Sequence, residues 1–306
     1  MANALSIPGS IRRWQPGLHE LLLFGIKQAW ACLFGGLLLG LIIATKLWWP
    51  PDLALARYDF LLVAALCIQV TFLLTGMETL DEAKVIFIFH VVGTVMEIFK
   101  TGMGSWHYPE DSLIRIGAVP LFSGFMYSAV GSYLSRVWRI FDLRFSNYPS
   151  TRWTVLLCAA AYLNFFAHHY FWDFRYALIA MAIAVFSGTR THLMTDQRHR
   201  SMPLLLGFAL VTFFIWLAEN IGTFGQIWIY PYQEQTWHMV SPAKFGSWFL
   251  LMLISFVLVS LVHKSQAGRY LNRRTSSKYV WPPVRTMKRS LPASRQAFKR
   301  GPTSSS

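Results

Sequence analysis

Residues 97–124 read EIFKTGMGSWHYPEDSLIRIGAVPLFSG, and a related stretch, ENIGTFGQIWIYPYQEQTWHMVSPAKFG, occupies residues 219–246. The offset is 122 positions, and the two 28-residue windows share seven identities without a gap. Unrelated windows of this length would share about two at ordinary residue frequencies. The repeated residues are Glu97, Thr101, Trp106, Tyr108, Pro109, Pro120 and Gly124, which recur as Glu219, Thr223, Trp228, Tyr230, Pro231, Pro242 and Gly246. Repetition at a fixed offset predicts a duplicated architecture.

The composition indicates a membrane protein. Of the 306 residues, 54% are hydrophobic and 14% are charged, whereas soluble domains carry about a quarter charged residues. Chains in lipid must satisfy their own backbone hydrogen bonds, which favours helices. The sequence therefore predicts an all-α, polytopic membrane protein of about eight spans, placed at the apolar runs near 20–45, 58–76, 83–100, 117–138, 152–170, 173–189, 202–220 and 243–263.

The offset of 122 residues carries the third and fourth predicted spans onto the seventh and eighth. Four spans per repeat is an even number, so we expect two parallel four-helix repeats, about 20–139 and 150–263, related by an axis along the membrane normal. Both motif copies then lie on the same side of the membrane. Residues 1–19 are predicted to be a cytoplasmic N-terminal segment, and residues 264–306 a disordered cytoplasmic tail.

Charge in the loops and tail sets the expected orientation. Lys and Arg gather in alternate loops, which predicts a bacterial inner-membrane protein with both termini in the cytoplasm and the motif copies outside. The tail has eleven basic residues and no acid, a pattern that anionic membrane lipid attracts. Without a nucleic-acid-binding motif, charge alone does not favour nucleic acid as a partner.

Glu97 and Glu219 are the candidate catalytic residues. The spacing of His90, Thr94, Glu97 and Thr101 puts the four on one face of a helix. A charged side chain inside a bilayer costs at least about 2.5–3.5 kcal/mol, so such groups usually mark function. The alternative is that both glutamates are interfacial residues bonded to nearby backbone or to Lys100.

The aromatic residues around the glutamates are the candidate substrate-binding residues. Aromatics gather at the membrane–water boundary, which explains the residue types but not their equal offsets from a glutamate. We therefore expect two outer segments that fold beside the glutamates and form one shared site. The predicted substrate-binding residues are His90, Thr101, Trp106, His107, Tyr108, Thr223, Trp228, Tyr230 and His238. No metal or cofactor is predicted, although His168 with Asp173 is a weak candidate metal pair.

The chain also resembles known families. Residues 99–110, FKTGMGSWHYPE, and residues 119–127, VPLFSGFMY, are similar to a bacterial multi-pass membrane family catalogued as domain of unknown function 817. A more distant similarity, carried by Glu97, Gly104-Ser105-Trp106-His107-Tyr108 and Gly117-Ala118-Val119-Pro120, is to membrane lycopene cyclases and carotenoid hydratases. It implies acidic residues that protonate or hydrate carbon–carbon double bonds without a metal. Leu121-Phe122 stand where the cyclases carry paired glutamates.

These observations predict a membrane enzyme that does acid–base chemistry on a long, apolar, isoprenoid-like substrate. The alternative is a transporter or permease for a small solute, and a third hypothesis is a purely structural or lipid-anchoring role. The predicted spans show no continuous polar track across the membrane, which favours a site open on one face.

Overall fold

The computed structural model describes residues 16–50, 52–196 and 199–271, which are mostly helical. Most of the predicted N-terminal segment and of the basic tail lies outside these residues, although α1 begins at Pro16 and the last helix continues to Leu271. The nine α-helices within the described residues are α1 (Pro16–Ala31), α2 (Leu33–Trp48), α3 (Arg57–Leu74), α4 (Leu80–Gly102), α5 (Ser123–Ile140), α6 (Thr151–Ala167), α7 (Arg175–Phe186), α8 (Leu204–Phe224) and α9 (Lys244–Leu271).

Four or five of these helices are candidate membrane spans. In the described part of the chain, α3, α4, α8 and the segment Lys244–His263 of α9 are each long and apolar enough to cross a bilayer, and the bent pair of α1 and α2 would make a fifth span. Helices also occupy the other three predicted positions. However, α7 has 12 residues, about 18 Å of helix, whereas the hydrocarbon core is about 30 Å thick.

The first predicted span is not one straight helix. The axes of α1 and α2 meet at 67°. Polar side chains of α1 bind a loop far along the chain: Lys27 Nζ donates to the Met194 carbonyl oxygen at 3.1 Å, and Glu20 pairs with Arg200 at 2.6 Å. The span predicted near 20–45 thus corresponds to a bent pair of helices, and hydropathy alone does not reveal the contacts of α1.

The fourth predicted span, 117–138, begins too early. Helix α5 starts at Ser123, and the residues before it form an antiparallel hairpin of β1 (Arg115–Ile116) and β2 (Val119–Pro120). Gly117 takes φ +61° in the turn, a conformation that glycine adopts without the steric cost that other residues meet.

A second, three-stranded sheet makes the all-α prediction incomplete. Strand β3 (Arg144–Ser146) pairs antiparallel with β4 (Arg190–Met194), and β4 pairs with β5 (His199–Pro203). The sheet joins the loop after α5 to the loop between α7 and α8. Its strands are short and carry arginines and histidines, so the sequence reads as basic loops.

Helices of each half of the chain make equivalent contacts with helices of the other half. Helix α4 packs against α5 and α6, and α8 packs against α9 and α2. The offset of 122 residues turns α4 into α8 and α2 into α6, so the contact of α4 with α6 becomes the contact of α8 with α2. Two halves related by a two-fold axis would show this pattern.

Candidate functional site

Glu97 is buried among three hydrogen-bond donors near the end of α4. Trp106 Nε1 and Tyr108 OH each donate to Glu97 Oε2 at 2.7 Å, and Tyr127 OH of α5 donates to Oε1 at 2.5 Å. Glu97 is only 2% exposed. Burial disfavours the charged form of a carboxyl group, and the three hydrogen bonds to the charged form offset part of that cost.

One local turn brings Trp106 and Tyr108 back to the glutamate. After α4, Gly104 takes φ +68°, and Ser105 N donates to the Lys100 carbonyl oxygen at 3.0 Å. These are features of a helix end closed by a left-handed residue. The chain thus reverses within three residues, and the aromatics nine and eleven positions after Glu97 lie beside it.

The same turn follows the second glutamate. Gln226, 122 positions after Gly104, takes φ +56°, and Ile227 N donates to the Gly222 carbonyl oxygen at 3.0 Å. Gln226, Ile227 and Gly222 are the equivalents of Gly104, Ser105 and Lys100 in the first copy. A non-glycine residue with positive φ is uncommon. Gln226 nevertheless adopts the backbone conformation that Gly104 has in the first copy.

Glu219 is also buried, at 2% exposure, but its donors differ. Tyr230 OH donates to Glu219 Oε1, as the equivalent Tyr108 does in the first copy, and Trp248 Nε1 of α9 donates to Oε2. Trp228, the equivalent of Trp106, packs its ring against Gly222 instead. Gly222 stands where the first copy has Lys100, which leaves room for that ring.

The two motif copies meet at equivalent residues. His107 and Ile229, 122 positions apart, form an antiparallel bridge in which each N–H donates to the other's carbonyl oxygen, at 3.1 and 3.0 Å. Beside the bridge, the Trp106 and Tyr230 rings lie 6.1 Å apart in an edge-to-face arrangement. Since Trp106 binds Glu97 and Tyr230 binds Glu219, the structure brings both glutamates into one connected cluster.

The tyrosines of the cluster hold their protons. Burial raises the pKa of Tyr108 and Tyr230 well above the usual value, and the negative charges of Glu97 and Glu219 raise it further. The two phenols are therefore neutral donors at physiological pH. They orient the carboxylates and do not compete with them as bases.

Lysines and histidines form the outer edge of the cluster. Lys244 Nζ lies 4.4 Å from the centre of the Tyr230 ring and 5.7 Å from that of Trp106. Lys100 Nζ contacts His168 Nε2 at 3.2 Å and His169 Nε2 at 2.9 Å. The bond from Lys100 to Glu97 that the alternative interpretation expects is replaced by these contacts.

Several predicted site residues lie elsewhere or contribute only backbone. The imidazole of His90 packs 4.8 Å from Phe125 between α4 and α5, two turns from Glu97. Thr101 Oγ1 donates to the Glu97 carbonyl oxygen at 2.7 Å and does not reach the carboxylate. His107 and His238 are exposed and use backbone atoms, the latter as acceptor from Gln233. Thr223 accepts from Trp237 Nε1 at 3.1 Å.

Sequence reasoning missed Tyr127, Trp248 and Lys244. Tyr127 has Phe249 as its equivalent, and Trp248 has Met126, so the repeat gives no signal for either donor. Lys244 lies inside the second window, two residues before the repeated Gly246, but its equivalent is Phe122. Their contacts depend on which faces of α5 and α9 meet the glutamates.

The candidate metal pair of His168 and Asp173 has other partners. His168 Nδ1 bonds the Asn164 carbonyl oxygen at 2.8 Å, and Asp173 pairs with Arg175 at 2.9 Å. Asn164 and Arg175 hold the Asp173 carboxylate and lower its pKa, although burial acts in the opposite direction. Among the described residues, no three histidine, cysteine or acidic side chains gather as metal ligands would.

Comparisons with known proteins agree with the first similarity. An uncharacterized protein, YoaT of Bacillus subtilis (strain 168), is 43% identical over 244 residues, which are 79% of this chain and 91% of that protein. Two crystal structures of MvINS, an Insig homolog from Mycobacterium vanbaalenii, one of them a cross-linked trimer, have a TM-score of 0.44 at 13% and 12% identity and cover 65% of this chain and 98% of theirs. The family model described as "Protein of unknown function (DUF817)" matches residues 20–256, and the chain belongs to that family.

Proposed function

We propose that the protein is an integral membrane enzyme that does acid–base chemistry on an apolar, isoprenoid-like substrate at its outer face. The observation that carries this proposal is the connected cluster of two buried glutamates, each bound by a tyrosine of its own motif. Buried carboxylates of this kind are typical of sites that move protons. Neighbouring aromatic faces stabilise developing positive charge.

The surroundings of the two glutamates differ. Glu97 accepts three hydrogen bonds, whereas Glu219 accepts two and is also acted on by the charge of Lys244. We assign the roles of acid and base to this pair. Carboxylates whose surroundings differ commonly divide acid and base roles in this way.

The proposal includes the finer architecture. Eight spans in two parallel four-helix repeats, with both termini in the cytoplasm, place both motif copies on the outer face. The identical turns after α4 and α8 and the bridge between His107 and Ile229 support the duplication. The basic loops support the orientation.

A second candidate, a proton-coupled transporter, is favoured by a buried polar line between α4 and α5. We define the polar line as Thr94, Ser128, Ser132, Glu78 and Arg136. Ser132 Oγ donates to Glu78 Oε1 at 2.6 Å, and Ser128 Oγ donates to the Ile86 carbonyl oxygen at 3.0 Å. The line runs from the turn below Glu97 towards the opposite ends of both helices. By sequence alone, the serines of this line are typical of helix packing, and no continuous polar track across the spans is expected.

Thr94, in the polar line, and the neighbouring His90 each have an unused hydrogen-bonding atom. Thr94 Oγ1 and His90 Nδ1 are buried and have no partner among the described residues. Both atoms point at Gly124, where a Cβ would come within 2.7 Å of each. Gly124, a repeated residue of the motif, therefore leaves the space that these two polar groups use.

Glu97→Gln and Glu219→Gln distinguish the two candidates, with exposed Glu234→Gln as the matched control. An enzyme is expected to lose at least about 100-fold of its activity in both variants, the scale of general acid–base catalysis, which lipid and pigment profiling of expressing cells measures. A transporter instead shows proton-coupled solute uptake into vesicles that Glu97→Gln abolishes. The enzyme proposal fails if the wild-type protein changes no lipid or pigment, or if Glu234→Gln acts like the other two.

A further inference from the structure

A buried cation, Lys100, lies beside the glutamate cluster, and no carboxylate of the described residues forms an ion pair with it. Lys100 is 5% exposed, and its ammonium contacts two imidazole nitrogens, His168 Nε2 and His169 Nε2. The other charges that act on it come from Lys244, Arg175 and Asp173. Burying an ammonium is costly unless it is paired with a negative charge. Lys100 has no such partner among the described side chains.

The histidines do not supply the missing negative charge. A carbonyl oxygen can only accept, so the bond between His168 Nδ1 and the Asn164 carbonyl oxygen places a proton on Nδ1. His168 Nε2 is then the acceptor for Lys100, and the ring is neutral. Burial lowers the pKa of His168 and His169, and the charge of Lys100 lowers both further. Two neutral rings therefore hold the ammonium and leave its charge uncompensated.

The nearby acids are already engaged. Asp173 pairs with Arg175 at 2.9 Å and accepts a hydrogen bond from Asn164 at 3.0 Å. Glu219 is the carboxylate that acts on Lys244, and it also accepts from Tyr230 and Trp248. The cluster thus holds three cations, Lys100, Lys244 and Arg175, and three carboxylates, Glu97, Glu219 and Asp173, and each carboxylate is bound by partners other than Lys100.

The surroundings of the cluster are apolar and exposed. The loop between α6 and α7 presents the exposed aromatics Tyr170, Phe171 and Trp172. Phe99, one residue before Lys100, contacts the His169 ring at 5.6 Å and the Tyr170 ring at 6.4 Å. A cluster of cationic side chains beside exposed aromatic side chains matches a ligand with a charged head and an apolar chain.

We propose that Lys100 and Lys244 bind the anionic oxygen head group, a phosphate or a carboxylate, of the amphiphile that the glutamate cluster acts on. That the bound amphiphile is also the substrate rests on the proposed function, whereas the binding itself needs only the two lysines. Lysine is a common phosphate ligand that acts as a point charge, and the neutral histidines orient it. The head group supplies the negative charge that Lys100 lacks, and the chain lies along the aromatic loop.

The test measures binding to the purified full-length protein in detergent by native mass spectrometry. The probes are phosphatidic acid, a long-chain fatty acid, inorganic phosphate and neutral diacylglycerol of matched chains. Anionic probes are expected to bind at least tenfold more tightly than diacylglycerol, and Lys100→Met and Lys244→Met are expected to remove that preference. Lys84→Met, at an exposed lysine on the same helix α4, is the control and keeps it.

The affinities for the four probes identify the source of the anion. Equal affinity for inorganic phosphate and phosphatidic acid identifies a soluble anion as the source, and a preference for phosphatidic acid identifies a lipid; both support the anion site. No preference of the wild-type protein for any anionic probe, or equal loss in Lys84→Met, overturns it. Glu97→Gln retains anion binding if the head-group site is real, even where the proposed chemistry fails.

Discussion

Glu97→Ala is expected to lower the free energy of unfolding by about 3–6 kcal/mol, which is among the largest effects of any single substitution. The change leaves Trp106 Nε1 and the hydroxyls of Tyr108 and Tyr127 without their acceptor. Each buried donor left unpaired costs about 1–3 kcal/mol. Denaturant unfolding in detergent, followed by tryptophan fluorescence, measures the change.

A graded series makes the origin of this effect visible. Tyr127→Phe removes one donor and leaves the carboxylate with two, so we expect a smaller loss, about 1–2 kcal/mol. Glu234→Ala, at an exposed position, should stay within about 0.5 kcal/mol of the wild type. A Glu97→Ala protein as stable as the Glu234→Ala control would show that the three hydrogen bonds do not form.

Arg136→Ala is expected to destabilise the protein by about 3–5 kcal/mol, the usual result of removing one partner of a buried ion pair. Arg136 and Glu78 are both fully buried, and Arg136 Nη2 lies 3.2 Å from Glu78 Oε1. The guanidinium also stacks 4.6 Å from the Phe72 ring. Without it, Glu78 keeps the neutral donors Ser132 and Gln69.

The neighbouring pair of Arg139 and Glu82 is a matched control. These residues are 3.0 Å apart, but the Arg139 side chain is 45% exposed. Arg139→Ala should therefore cost less than about 1 kcal/mol, as partly solvated pairs do. The double variant Glu78→Gln with Arg136→Met should be more stable than Arg136→Ala alone, because no buried charge remains unpaired. Equal effects of Arg136→Ala and Arg139→Ala would contradict the buried pair.

The repeat predicted much of the site because both copies obey one geometric rule. In each copy a glutamate near a helix end is followed by a reversal, and Tyr108 and Tyr230 each donate to the glutamate eleven positions before them. The reversal itself was not foreseen in the second copy, because Gln226 stands where the first has Gly104. There the turn is imposed by the surrounding loop.

Contacts between distant segments could not be predicted. Tyr127 and Trp248 reach the glutamates from α5 and α9 at positions that the repeat does not relate. Helix α1 contacts Met194 through Lys27, 167 positions away, and strand β3 pairs with β4 across as many as 48 positions. The periodicity of apolar residues predicts single helices. It does not predict which two segments contact each other, and these features depend on such contacts.

The central claim is that the two motif copies meet and form one site. His107 and Ile229 exchange both backbone hydrogen bonds, and such antiparallel pairs have Cα atoms about 5.5 Å apart, within the range of about 4.4–6.8 Å that disulfides span. The double variant His107→Cys with Ile229→Cys tests this pairing, in a protein whose Cys32, Cys67 and Cys158 are replaced by alanine.

Mild oxidation of that protein, followed by mass spectrometry of its peptides, is the most direct measurement. We expect near-complete intramolecular linkage of the two introduced cysteines, and none when either is present alone. If both cysteines react with a thiol reagent but no linked peptide forms, the motif copies do not meet, and the single outer-face site is wrong.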